Sequence, residues 1–290
     1  MKIDLNTQIV DAEQARVSPF DAGYMYGDGL FETLRSYDGH PFDLPRHLAR
    51  MQRAARLLQI PFDGERARWE PRLKRLLAAN ELLQGDAMVR IQLSRGGLPE
   101  TDHVAGDPDG IEAVEFVTTR RIASELAVWQ RDGARVMSVQ SSFARGNFPQ
   151  FKSLNYLPSM MALRFARAAG FAEAIRLSDQ GRVLEGATSN VFILRGGVLS
   201  TPPASAGILP GLARRRILEL AVEIGLPCEE LACDYREILV ADEILLSSSV
   251  KEVLPVVGVD RTTIGDGRPG PWTRQLHEAY RSAVDAEREP

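Results

Sequence analysis

Phe151-Lys152-Ser153-Leu154-Asn155-Tyr156-Leu157-Pro158 places a single lysine ahead of an apolar, helix-forming run from Met160 to Ala169. Lysine is the usual amine for a Schiff base with a carbonyl cofactor, and partial burial lowers its pKa so that the free amine is available. A lysine at a helix start can equally lay its methylenes over apolar surface and keep its ammonium in water. The stretch alone leaves both readings open, and three stretches downstream bear on the choice.

Beyond the lysine, Ala172-Glu-Ala-Ile-Arg-Leu177 reads as a strand, Asp179-Gln-Gly181 as a turn, and Val183 to Leu194 as two strand pieces around Glu185. Leu209-Pro-Gly-Leu-Ala-Arg-Arg-Arg-Ile-Leu-Glu-Leu-Ala221 opens a helix with Leu212, Ile217, Leu220 and Ala221 at helical spacing. The unpaired N–H groups of its first turn, at the positive end of the dipole, make either a phosphate seat or an ordinary capped start with proline near its first position. Glu243-Ile-Leu-Leu246 is a strand running into Ser247-Ser-Ser-Val-Lys-Glu-Val-Leu-Pro-Val256.

Before the lysine, Ser141 to Gln150, with Arg145, Gly146, Asn147 and Pro149, reads as a loop and Ala134-Arg-Val-Met-Ser-Val139 as a strand. Ser124 to Trp129 is helix-like, and Glu112 to Thr118 is a strand. In Ala87 to Ser94, period two sends Val89, Ile91 and Leu93 one way and Arg90, Gln92 and Ser94 the other. Arg95 therefore starts on the opposite face from Arg90 and depends on Gly96-Gly97 to turn it. Helices are expected over Arg46 to Leu58 and about Glu70 to Leu83. Leu30 to Tyr37, the turn Asp38-Gly39 and Pro41-Phe-Asp-Leu44 look like a hairpin that puts Phe31, Thr33 and Arg35 on one face and Leu30, Glu32 and Leu34 on the other. Tyr24 to Gly29 reads as a glycine-punctuated loop that either presents aromatic side chains to a ligand or makes a tight turn with two packed tyrosines.

Lys152-Ser-Leu-Asn-Tyr156, then Leu184-Glu185-Gly186-Ala-Thr-Ser-Asn190-Val-Phe192, then Gly207-Ile-Leu-Pro210-Gly211-Leu-Ala213 resembles the class IV, fold type IV, pyridoxal-phosphate enzymes. These include the branched-chain and D-amino acid aminotransferases and aminodeoxychorismate lyase. The likeness runs from about Pro19 to Val256. It implies a two-domain α+β (mixed α/β) fold, pyridoxal 5'-phosphate as cofactor, and Lys152 and Glu185 as the catalytic pair. Lys152 would form the Schiff base and then shuttle a proton, while Glu185 would keep the pyridine nitrogen protonated. Arg50, at the family's His-Leu-x-Arg position, would bind the phosphate with Leu212, Ala213 and Ser249, and Tyr156 would meet the ring hydroxyl. Tyr156 departs from the branched-chain pattern, which has one more residue before its tyrosine.

For the substrate, the resemblance implies Tyr26, Phe31, Arg35, Arg90, Arg95, Ser248 and Val250. Phe31 replaces the tyrosine of the D-amino acid branch, and Met88 and Arg90 depart from a strictly branched-chain pocket. An amino acid aminotransferase is the first expectation, 4-amino-4-deoxychorismate lyase the second, and a non-catalytic cofactor-binding relative the third. The family's sites form in a dimer, which implies a homodimer.

Composition agrees with an enzyme of this kind. A length of 290 residues suggests two domains, and the expected division is 1–120 and 121–290, with Thr119-Arg120-Arg121 at the boundary and most of the cofactor contacts in the second part. A net charge of −4 gives no general attraction to nucleic acid or anionic membrane. No stretch approaches the roughly 20 apolar residues that span a bilayer, and the N-terminus lacks a signal-peptide core, so a cytoplasmic location is expected. Cys228 and Cys233 suit reduced thiols, and His40, His47, His103 and His277 form no metal-binding spacing, so no metal is expected.

Overall fold

Ala87, Val89, Ile91 and Leu93 are buried and Met88, Arg90 and Gln92 half-buried, as period-two alternation demands of a strand with one face on a core. The computed structural model describes residues 1–97, 112–140 and 151–288. The chain forms two compact units, Met1–Ile122 with Phe151–Asn155, and Ala123–Gln150 with Tyr156–Pro290. The loop expected over 141–150, and His103, lie outside the described residues.

In the first unit the elements are β1 (Lys2–Leu5), β2 (Gln8–Asp11), α1 (Ala22–Tyr26), β3 (Gly29–Tyr37), β4 (His40–Pro41), α2 (Leu44–Leu57), α3 (Arg66–Ala79), β5 (Asp86–Ser94) and β6 (Val114–Arg121). Among the described residues the strands form one sheet in the order β2-β1-β6-β5-β3-β4. Its apolar face packs on α2 and α3, with Leu34, Leu48, Trp69, Leu73, Val89 and Ile91 at the centre. Each of these leucines is worth roughly 1.5–3 kcal/mol when removed from water.

Three expectations need correction here. The second helix starts at Arg66 rather than Glu70 and tolerates Pro71 in its second turn, because Trp69 and Leu73 on either side are fully buried. It stops at Asn80, whose side chain exchanges hydrogen bonds with the Lys2 backbone at 2.7 and 2.8 Å. The strand after Asp38-Gly39 keeps only two residues, since Leu44 already begins α2. Tyr24 to Tyr26 belong to the short α1, whose start is capped by Asp21 and whose end is set by Gly27 at φ 69°. Strand β6 runs through Arg121, paired with Ala87, and the first unit's main stretch ends one residue later at Ile122.

The second unit contains α4 (Glu125–Asp132), β7 (Ala134–Gln140), α5 (Leu157–Ala168), β8 (Glu173–Leu177), β9 (Val183–Gly186), β10 (Asn190–Arg195), β11 (Val198–Thr201), α6 (Leu212–Glu223), β12 (Cys228–Glu230), α7 (Tyr235–Ile238), β13 (Glu243–Ser248), β14 (Glu252–Val259), β15 (Thr262–Thr263) and α8 (Pro271–Arg288). The described strands form a mixed sheet ordered β12-β11-β10-β13-β14-β7-β8-β9, with β15 on β14. Helix α8 buries Thr273, Leu276, Tyr280 and Val284, and its start is capped by Glu243, which accepts the Thr273 N–H at 2.8 Å. Helices and strands are thus mixed in both units, which is the expected α+β class. No helix among the described residues is long and apolar enough to cross a membrane.

Lys152 is not at the head of a helix. Helix α5 begins five residues later, and Lys152 lies in an extended segment of the first unit that bridges to Leu30 through Ser153. Serine, leucine and asparagine after the lysine give no helical stripe, and pairing with β3 takes up the Lys152 carbonyl and the Leu154 N–H instead.

A buried ionic cluster ties the first sheet to α3. Arg72, 3% exposed, donates to Asp4 at 2.9 Å and to Glu115, and its guanidinium lies 4.5 Å from the Trp69 ring centroid. Removing one partner of such a cluster leaves a buried charge uncompensated. Arg72→Met is expected to lower stability by about 3–5 kcal/mol, measured by urea denaturation, whereas Arg75→Met on the exposed side of the same helix should change it by less than about 0.5 kcal/mol.

Candidate active site

The expected site residues fall into two groups, one in each unit. In the first, strand β3 is the organiser. Its Phe31 N–H donates to the Lys152 carbonyl at 2.8 Å and its Gly29 carbonyl accepts the Leu154 N–H at 3.0 Å, so the lysine backbone is held as if it were a further strand. The lysine Nζ then sits 4.4 Å from the Phe31 ring centroid, and the Arg90 guanidinium carbon lies 4.0 Å from the same centroid. Both contacts are cation–π in geometry. The β3–β5 register explains the second: Thr33 pairs with Arg90 and Phe31 with Gln92, which makes Arg90 the diagonal neighbour of Phe31.

The opposite face of β3 carries Glu32, 1% exposed, towards α2. Arg50 donates through Nε and Nη2 to its two oxygens, both at 2.7 Å, and His47 Nδ1 donates at 2.7 Å. Burial alone would raise this carboxyl. The charges of Arg50 and His47 and their hydrogen bonds outweigh it and hold the group far below the usual carboxylate range. Two other expected cations are also engaged. Arg35 is buried, ion-paired with Asp86 and 5.0 Å from the Tyr37 ring. Arg95 donates to Asp28 at 2.5 Å and to the Leu58 carbonyl at 2.6 Å, so the turn at Gly96 points it to the end of α2. Tyr26 stands exposed at the end of α1.

In the second unit, Glu185 and Asn190 hold the backbone of one residue, Leu209, at its two ends. Glu185 Oε2 accepts the Leu209 N–H at 3.0 Å, and Asn190 Nδ2 donates to the Leu209 carbonyl at 2.8 Å. Gly211 follows, and a Cβ there would come within 2.1 Å of Asn190 Oδ1, so only glycine permits this approach. It is the N-cap of α6 and leaves the first turn, Leu212 and Ala213 included, without a side-chain cap. Tyr156 donates its hydroxyl to the Ala187 carbonyl at 3.0 Å. Ser248 Oγ accepts the Lys251 N–H at 3.1 Å in the turn that also holds Ser249 and Val250. The hydroxyls of Ser189 and Ser247 are buried without a hydrogen-bond partner among the described residues.

The sequence pattern described as amino-transferase class IV matches residues 29–259. The chain belongs to the class IV aminotransferases. It is 33% identical over 288 residues to the D-alanine aminotransferase of Bacillus licheniformis, covering 99% of this chain and 98% of that protein. It is 34% identical over 282 residues to the aminodeoxychorismate lyase of Bacillus subtilis, covering 97% and 94%. The crystal structure of the branched-chain amino acid aminotransferase of Escherichia coli superposes with a TM-score of 0.88 at 28% identity, covering 98% of this chain and 94% of that one. This class IV aminotransferase is a pyridoxal 5'-phosphate enzyme with the type IV fold.

Some polar groups of this aminotransferase escaped the reading of its sequence. Arg176 meets Glu185, and Lys251 is bonded to Glu173 and, at 2.6 Å, to Thr188, which links the turn after β13 to the turn after β9. Glu252, at φ 55°, accepts from His277 at 2.8 Å and Arg281 at 2.9 Å. A polar residue inside a strand reads as solvent-facing, so only Glu32, placed opposite Phe31 and Arg35 by parity, left a signal that could have found it.

The pH dependence of stability should reveal the Glu32 cluster. Its folded-state pKa is depressed, so its contribution is present above the ordinary value of about 4.5 and is lost as the pH falls below it. Urea unfolding of Glu32→Gln at a series of pH values is expected to show a smaller acid-side loss than the parent. Arg50→Ala, which leaves the carboxylate buried and unpaired by that arginine, should cost about 3–5 kcal/mol at neutral pH.

Proposed function

We propose that this chain moves an amino group between an amino acid, of D-amino acid or branched-chain type, and a 2-oxo acid such as 2-oxoglutarate or pyruvate. The observation that carries the reading is Lys152, whose segment makes two backbone bonds to β3 and whose amine lies 4.4 Å from the Phe31 ring centroid, which the Arg90 guanidinium approaches at 4.0 Å. An amine and a fixed cation on one ring suit a substrate that brings a carboxylate together with the atom to be transferred.

The donor set fits the cofactor. An amine, a buried carboxylate, a helix start without a side-chain cap and two buried hydroxyls lacking partners are the groups that an aromatic aldehyde phosphate requires. Lys152 would hold its carbonyl carbon, Glu185 its ring nitrogen and Tyr156 its ring hydroxyl. Arg50, the Leu212 and Ala213 amides and Ser249 would hold the phosphate by charge-assisted bonds. Bound pyridoxal phosphate supplies a carbonyl that condenses with amines and a ring that accepts the electron pair left on the substrate's α-carbon. Lys152 Nζ would take the proton from the substrate's α-carbon and deliver it on the far side of the substrate nitrogen, which is the step that distinguishes transfer of the amino group. Arg90 positions the carboxylate of the acceptor, with Tyr26, Phe31, Ser248 and Val250 shaping the remaining surface. Arg35 and Arg95, the other candidate substrate cations, are ion-paired with Asp86 and Asp28.

The second reading is 4-amino-4-deoxychorismate lyase, releasing 4-aminobenzoate and pyruvate, and it is supported by the 34% identity to the Bacillus subtilis lyase. A cytoplasmic homodimer completes the proposal. Exposed Val17, Phe20, Tyr24, Met25 and Tyr26 in the first unit favour a covering partner of the same kind.

Lys152→Ala is expected to abolish transfer while the fold is kept, and borohydride should trap the cofactor on the Lys152 peptide of the parent; turnover near the parent's would overturn the assignment. A screen of L- and D-amino acids with 2-oxoglutarate or pyruvate, beside an assay for 4-aminobenzoate release, separates the two readings. In steady-state kinetics, Arg90→Ala should raise KM for a dicarboxylate acceptor about tenfold to a hundredfold, more than Arg95→Ala. A monomer of full activity in light scattering would refute the dimer.

A further inference from the structure

Strand β9 carries one residue more than β8 between their two paired positions. Ile175 pairs with Gly186 and Leu177 with Val183, so Arg176 alone stands opposite Leu184 and Glu185. An extra residue of this kind bends its strand and re-aims a side chain. Here Arg176, 3% exposed, and Glu185, 5% exposed, meet with Arg176 Nη1 3.4 Å from Glu185 Oε1, while Oε2 takes the Leu209 N–H. An arginine buried at the carboxylate that the reading above assigns to the ring nitrogen has so far been given no part in the reaction.

The consequence lies in where a proton resides. A carboxylate and a pyridine nitrogen in contact share one proton, either as a carboxylic acid beside a neutral ring or as a carboxylate beside a pyridinium. Burial favours the uncharged arrangement, since both ions lose water. A guanidinium remains charged at any pH of interest. Its attraction to the adjacent carboxylate exceeds its repulsion of the more distant ring, because the interaction falls with distance. It therefore shifts the balance to the ionised pair.

We infer that Arg176 is a positioning residue that acts through Glu185, holding the carboxylate ionised and oriented so that the shared proton stays on the cofactor's ring nitrogen. The inference rests on the assignment of Glu185 under the proposed function. Only a protonated ring is a strong electron sink, so the arginine would govern the proton-transfer step without touching the substrate.

The test uses holoenzyme reconstituted with pyridoxal phosphate carrying 15N in its ring, observed by NMR. The parent is expected in the pyridinium range. Arg176→Met and Arg176→Gln should both move the resonance towards the neutral-pyridine range, and Arg176→Lys should return most of the shift. Glu185→Gln should give the neutral-pyridine position, and adding Arg176→Met to it should change nothing further. Arg176→Gln keeps hydrogen-bond donors without the charge and serves as the second variant if the methionine variant does not fold, with folding and cofactor loading read from thermal unfolding and visible absorbance. A resonance unchanged in Arg176→Met or Arg176→Gln but moved in Glu185→Gln overturns the inference and leaves the Glu185 assignment standing. A resonance unmoved by Glu185→Gln overturns both.

Discussion

The backbone pairing of Lys152 with β3 is the constraint on which the placement of the proposed imine lysine depends. Two hydrogen bonds fix the lysine's main chain beside Gly29 and Phe31. The β3–β5 register then brings Arg90 to the same ring. A lysine on a mobile loop would hold four rotatable bonds open, whereas here the backbone is fixed and the aromatic face receives the ammonium. Gly29 is part of the same device. A Cβ at that position would come within 2.4 Å of the Leu93 carbonyl, so the strand edge that receives the lysine segment requires a residue without one.

Buried carboxylates recur as the second organising element. Glu32 holds Arg50 and His47, Glu173 holds Lys251 and Thr188, Glu185 holds Arg176 and the Leu209 amide, and Glu252 holds His277 and Arg281. The first three place a cation or an amide close in the chain to an expected site residue, and Glu252 ties the start of β14 to α8. Such pairs contribute little net stability compared with apolar residues of the same size, because desolvation offsets their attraction. Their value is geometric: a buried ion pair admits one arrangement, and breaking it is costly.

Family, fold class and most elements were legible in the residues. Strand alternation in Asp86–Ser94, the apolar spacing of α2 and α6, and the Lys152, Glu185 and Gly207–Ala213 motifs carry their signals locally. The misreadings were local too. The four residues before Glu70 joined α3, which puts Pro71 in its second turn, because burial of Trp69 and Leu73 outweighed a lost hydrogen bond. The lysine segment left the helix because β3 offered its backbone partners. Local propensity has no access to either event.

By itself, the sequence determined which motifs are present: one lysine in a class IV motif, a glutamate in Glu-Gly-x-x-x-Asn, and a Pro-Gly helix start. Those are matters of residue type and short spacing, and short spacing survives folding. Only the tertiary structure decided which cations are committed elsewhere. Arg35 belongs to Asp86 and Arg95 to Asp28 and the end of α2, whereas Arg90 stays over Phe31, the ring that Lys152 also meets. It also decided that Arg176 faces Glu185, since that contact depends on one extra residue in β9. Partners in a sheet are chosen by register between strands distant in sequence, and a shift of one residue exchanges one face for the other.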